Sequence, residues 1–141
     1  MSISNHIIDR IRKAGRVFVI GNGGSYANAM HIANDLQACG IRAYTLDAAT
    51  LTATANDFGY AFIFSKWLIS NAEAGDMLIA LSGSGKSPNI LNALEAAILI
   101  GMDVERVFGA EQGLNMEESE EYQIILGHQL KRALKNENRA L

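Results

Sequence analysis

The sequence predicts a three-layer α/β/α sandwich around a parallel sheet of four to five strands. Three observations carry this. Short β-rich apolar runs alternate with longer segments of helical apolar spacing, the pattern of strands joined by crossover helices. Two of the runs, "RVFVI" and "MLIAL", pass directly into Gly/Ser loops that open helices. Apolar residues make up 49% of the 141 positions and charged residues 19%, which suits one domain over residues 1–141. A chain of this size buries about 68% of its unfolded surface, so its core needs no staple.

Ile3, Ile7, Ile8 and Ile11 follow helical spacing and predict an amphipathic helix over about 2–14, ending near Gly15. Residues 16–20 form the first strand. A helix over 25–38 follows, with Ser25 as its N-cap and Gly40 beyond its end. "RAYTL", 42–46, is a second strand, and "ATLTATANDFGY" a loop or short helix. Residues 61–73 have helical apolar spacing around Trp67, expected in the core or at a subunit interface, and 77–81 form a third strand. Pro88 suits the first position of a helix running to about Gly101. "DVERVFG" supplies a fourth strand. A C-terminal helix over about 117–136 is acidic at its start and basic at its end, as the helix dipole favours. The tail "KNENRAL" is expected to fray.

The net charge of −3 argues against a nucleic-acid surface, which needs a basic stripe. The lone Cys39 cannot form an internal disulfide, in keeping with a reducing cytoplasm; a core or helix-end position is expected for it. The first residues show no signal-peptide core, and no apolar run approaches the ~18 residues of a membrane span.

In open parallel sheets, ligands sit beyond the carboxyl ends of the strands, where both Gly/Ser loops belong. "LSGSGKSPN", 81–89, sets Ser82, Ser84 and Ser87 around Gly83 and Gly85. Glycines let backbone N–H groups approach a ligand, serines add donors, and the helix start at Pro88 favours an anion. A phosphate cradle is one reading; an ordinary turn capped by Ser87 is the other. A Walker A loop would need glycine where Ala80 stands. A dinucleotide fingerprint in "GNGGSY" would need glycine where Tyr26 stands. No nucleotide cofactor is therefore expected.

Asn28, His31 and Asp35 share one face of the second helix, opposite Ala29, Ile32, Ala33 and Leu36. The stripe is either a solvated face or functional. It holds no Lys or Glu, the usual surface filler, and a His/Asp pair at i, i+4 could share a metal or handle protons. In the last helix His128 follows Gly127, a mid-helix glycine that costs about 1 kcal/mol relative to Ala and so points to a close approach. Glu120 belongs to "EESEE", otherwise a solvated helix start, and Asn56-Asp57 otherwise a turn.

Together, "GNGGSYANAMHIANDL", "TATANDFGYAFIFSKWL" and "ALSGSGKSPNILNALEAAILIGM" resemble the sugar isomerase (SIS) domain family, in its phosphoheptose isomerase branch. The similarity runs from about Arg16 to Met102, with the pieces in the family's order. The resemblance implies a flavodoxin-like SIS fold and conversion of sedoheptulose 7-phosphate to a heptose 7-phosphate through an enediol. It implies substrate contacts from Asn22, Gly23, Gly24, Ser25, Asn56, Asp57, Ser82, Gly83, Ser84, Ser87 and Glu120. It assigns catalysis to Asp35 as base and His128 as acid, and zinc to His31, Asp35, His128 and Glu120. It also implies a homo-oligomer, dimer or tetramer, whose sites are shared between subunits. The chain departs from the family in four ways. Asp35 stands where Glu is frequent, Glu120 where Gln is common, and residues 107–120 are too few for the family's fifth strand. The family's N-terminal region is also longer by about one helix. These departures motivate the alternative of a non-catalytic phosphosugar-binding domain with a regulatory or protein-partner role.

Overall fold

The computed structural model describes residues 5–137. Ile3 and the end of the tail lie outside the described residues. Four strands form one all-parallel sheet in the order β2-β1-β3-β4: β1 Val17–Ile20, β2 Ala43–Tyr44, β3 Met77–Ser82 and β4 Asp103–Phe108. Val17 pairs with Ala43 on one side and Met77 on the other, and β3 pairs with β4 from Met77↔Asp103 to Ser82↔Phe108. The six α-helices are α1 Asn5–Lys13, α2 Gly24–Ala38, α3 Ala48–Phe58, α4 Ile63–Asn71, α5 Pro88–Ile100 and α6 Met116–Glu137. After β4 a 3-10 turn, Gly109–Gln112, leads into α6, so the sheet ends at four strands among the described residues.

The three layers follow from strand alternation. Val17, Val19, Met77, Ile79 and Leu81 point to one face and pack with Ile7, Ile8 and Ile11 of α1, Ile32 and Leu36 of α2, and Leu130 and Leu134 of α6. Phe18, Ile20, Leu78 and Ala80 point to the other, against Phe64 and Leu68 of α4 and Ile90 and Ala93 of α5. β1 and β3 are buried on both faces, as central parallel strands require. Each fully buried Ile, Leu or Phe there contributes roughly 1.5–3 kcal/mol.

Several boundaries differ from the sequence expectation, each for a physical reason. Gly23, with φ 56°, is the N-cap of α2 and Ser25 lies inside the helix, because the Ser25 hydroxyl instead accepts a hydrogen bond from Gln123 Nε2 at 3.0 Å. The β2 strand is only two residues; Thr45 has left the ladder and its hydroxyl donates to Val19 O at 2.7 Å. The segment "AATLTATANDF" is a full helix, α3, capped by Asp47, whose carboxylate accepts from Thr50 N–H at 2.9 Å. Ser87 caps α5 without a side-chain bond. Gly101 closes α5 in the left-handed conformation, and Cys39 sits buried at the end of α2. Trp67 packs edge-on against Phe18, with ring centroids 5.1 Å apart.

The order of strands reverses direction at β1. From β1 the chain moves outward to β2, then returns across β1 to β3 and β4. The loops that leave β1 and β3 therefore diverge, one to α2 on the first face and the other to α5 on the second. The crevice between them is where an open α/β sheet takes a ligand.

Candidate active site

The loop after β3 closes on itself. Ser82 Oγ accepts from Gly85 N–H at 2.9 Å, and Ser84 Oγ accepts from Lys86 N–H at 3.1 Å. Gly85 holds φ 69°, and a Cβ on it would lie 2.8 Å from the Phe108 ring, so glycine is required there. The Met116 sulfur occupies the space that a Cβ on Gly83 would take. Asn22, Ser25, Ser82, Gly83, Ser84 and Ser87 line a cleft of about 40 Å³ with Leu81 and Met116. A single water needs roughly 10–15 Å³ on this measure, so the cleft has room for one tetrahedral oxyanion. It is lined without Lys or Arg: Lys86 points to solvent. Backbone N–H groups, hydroxyls and the start of α5 are the donors for an anion.

Asn22 couples the two loops. Its amide and that of the buried Asn89, in the first turn of α5, exchange a reciprocal pair of hydrogen bonds at 2.8 Å each. Tyr60 Oη adds a donation to Asn22 Oδ1 at 2.9 Å. The Asn22 side chain thus spans from the β1 loop to the helix start that would hold the anion. Tyr26, where a dinucleotide loop would have glycine, donates its hydroxyl to Leu46 O and ties α2 to the end of β2. Burial, reinforced by the Asp47 carboxylate, pushes its phenol up and keeps it a donor.

The polar stripe of α2 runs along α6. Asn28 Nδ2 donates to Glu120 O at 3.0 Å and to Gln123 Oε1 at 2.9 Å. Gly127 lets the helices touch: a Cβ there would stand 2.6 Å from Ile32 Cγ1. One residue on, His128 Nε2 comes 3.2 Å from His31 Nε2. His31 Nε2 is also 3.2 Å from Asp35 Oδ2, with His128 Nε2 4.0 Å from the same oxygen. Asp35 is only 4% exposed, whereas the two imidazoles are about half exposed, at 50% and 46%. The cluster is thus a buried carboxylate under two open rings.

Among the described residues Asp35 Oδ2 is fully buried and accepts no hydrogen bond, although His31 Nε2 lies within ion-pair distance. A buried acceptor without a donor costs about 1–3 kcal/mol, and a cation between the three groups would satisfy it. Two tetrahedral ligands at the usual zinc distances lie about 3.3 Å apart. The 3.2 Å edges match that and the 4.0 Å edge is wider. The donor set of two imidazoles and one carboxylate fits zinc. Glu120 is not in this group. From α6 its carboxylate reaches the start of α2, where it occupies the space a Cβ on Gly24 would take.

Asn56 and Asp57 stand apart as well, exposed at the end of α3, with Asn56 Nδ2 donating to Asp57 Oδ1 at 3.0 Å. Sequence reasoning did not find Asn89, Tyr60, Gln123 or Lys131. Asn89 alone had a local signal, as the residue after Pro88 in a loop already singled out.

The SIS domain model matches residues 2–107, and the chain belongs to that family. Among its relatives, the phosphoheptose isomerase of Rhodospirillum rubrum is 40% identical over 111 residues, 73% of this chain and 59% of that protein. The phosphoheptose isomerase of Campylobacter concisus is 34% identical over 129 residues, 86% of this chain and 68% of that protein. The chain thus spans about 59% of the length of the first relatives it matches. The phosphoheptose isomerase structures from Neisseria gonorrhoeae and Francisella tularensis superpose with TM-scores of 0.83 and 0.85 at 26% and 27% identity. Both alignments cover 94% of this chain, and 82% and 84% of theirs.

Proposed function

We propose that the chain is a single-domain aldose–ketose isomerase that converts sedoheptulose 7-phosphate to a heptose 7-phosphate. The observation that carries this is the pairing of an anion cradle on the 82–87 loop, bordered by the start of α2, with an acid–base cluster further along α2 and on α6. His31 lies about 10 Å along the α2 axis from Gly24 at 1.5 Å per residue. In a ketoheptose phosphate the reacting C1–C2 pair is at the opposite end of the carbon chain from the phosphate. The naming of the relatives as phosphoheptose isomerases supports the same substrate.

In this reading the 82–87 loop and the start of α5 hold the phosphate, and residues 22–25 border the sugar with Glu120. Asp35 takes the proton from C1, leaving an enediol. His128 donates to the carbonyl oxygen on C2 and takes the proton from the hydroxyl on C1. Asp35, its proton having exchanged with solvent, then protonates C2. A positioned acid–base group contributes typically about 10²–10⁴-fold. His31, Asp35 and His128 would hold zinc, which when bound polarises the carbonyl oxygen as a Lewis acid.

We further infer a cytoplasmic homo-oligomer. The exposed Phe58, Tyr60 and Phe62 beside Asn56-Asp57 support an interface there, through which Asn56 and Asp57 would reach a sugar held by a neighbouring copy. No helix of the described residues is long and apolar enough to cross a membrane.

The test is turnover of sedoheptulose 7-phosphate in D₂O, read by mass spectrometry for deuterium at the exchanging carbon. Product carrying solvent deuterium is expected, with none from Asp35→Ala or His128→Ala. Unchanged turnover in Asp35→Ala would remove it as the base. Phosphosugar binding without turnover at saturating zinc would select the non-catalytic alternative.

A further inference from the structure

Lys131 is the one cation whose side chain reaches the Asp35 carboxylate in the described residues: its Nζ lies 3.2 Å from Asp35 Oδ1. It stands three residues after His128, hence on the same face of α6. The two residues address opposite oxygens of one carboxylate, with Lys131 on Oδ1 and His128 toward Oδ2. The backbone of Lys131 is held as well, since its carbonyl accepts from Cys39 Sγ at 3.5 Å. Its side chain is 39% exposed, so the ammonium reaches in from the rim while Asp35 is buried.

We propose that Lys131 is a positioning residue that competes with a divalent metal for Asp35. The ammonium balances the one negative charge that the His31–Asp35–His128 group offers a metal. It engages Oδ1, leaving Oδ2 as the only oxygen of Asp35 that can join the two imidazoles. A metal entering the cluster therefore meets a carboxylate already neutralised and a like charge on its far side. The consequence is a weakly held, exchangeable metal. This rests on the metal-binding part of the reading above, but not on turnover of any sugar.

The experiment is zinc titration of metal-stripped protein in competition with a chromophoric chelator, for wild type, Lys131→Met, Lys131→Gln and Lys131→Arg. Loss of a partly exposed ion pair is expected to tighten zinc about two- to fivefold in the Met and Gln variants. Lys131→Arg, which keeps the charge, should stay within about twofold of wild type. In an Asp35→Asn background the gain from Lys131→Met should vanish, because the lysine acts through that carboxylate. Zinc binding in Lys131→Met where wild type shows none would also support the inference. Equal, weaker or absent binding in both neutral variants, with far-UV circular dichroism unchanged, overturns it. So does a gain that survives Asp35→Asn. Isomerase turnover is scored separately, so failure of either idea leaves the other readable.

Discussion

The serine loop and the α2–α6 cluster approach a ligand by opposite means. The loop lines its cleft without a charged side chain, is built from consecutive residues, and satisfies itself through Ser82 and Ser84 before any ligand arrives. The cluster is charged, and its two histidines come from positions 97 residues apart. It leaves one buried carboxylate oxygen without a donor. The first arrangement is suited to binding, since its donors are fixed and cost little to reorganise. The second is suited to chemistry, because a buried, unsatisfied acceptor gains from taking up a proton or a cation.

The sharpest way to separate them is Asp35→Asn. Turnover should fall by about 10²–10⁴-fold while inorganic phosphate still inhibits substrate binding in the residual activity, or still binds by calorimetry. Loss of phosphate binding along with turnover would mean that the two regions are not independent. Gly127→Ala attacks the same region through its packing. The new methyl would press on Ile32, and overpacking costs about 1–3 kcal/mol, which thermal unfolding would report. The expected signature is a loss of kcat with phosphate affinity kept.

Gly85→Ala makes the converse break. A left-handed conformation costs a non-glycine residue about 1–2 kcal/mol, and the methyl would also meet Phe108. Phosphate affinity and KM should worsen while zinc binding at the cluster is retained. The smallest effect is a control outside both regions. Arg10 hydrogen-bonds Asp103 through two nitrogens at 2.8 Å each and holds that carboxyl below its usual range. A lowered folded value means the contribution is present above the ordinary carboxylate range, near pH 4, and is lost as pH falls through the lowered value. Arg10→Met should flatten that acid dependence in a denaturation series and leave turnover near neutral pH unchanged.

The two regions were also unequally legible from sequence. Loop 82–87 is written in order, with its glycines, serines and proline adjacent, so its geometry could be read locally. The α2 stripe was visible as a helical face, but what it faces was not. Gln123, Glu120 and His128 reach it only once α6 folds back over the first layer. For the same reason Ser25 was misread as a cap: its partner Gln123 is 98 residues away. Lys131 carried no signal at all, since a lysine near a helix C-terminus is ordinary and only tertiary contact with Asp35 sets it apart. Placing Glu120 with the zinc ligands required side-chain direction as well as helical spacing. Its carboxylate points to Gly24 instead.

The reversal of strand order at β1 sends α2 into one layer and α5 into the other, held together at this end by the Asn22–Asn89 pair. A molecule that touched both helix starts would be a tie between the layers, present only in the folded state. By mass action, ligand at a hundred times its dissociation constant adds about 2.7 kcal/mol to the free energy of unfolding. The melting temperature then becomes a readout of occupancy, and a library of phosphorylated sugars could be ranked by heat alone before any product is assayed.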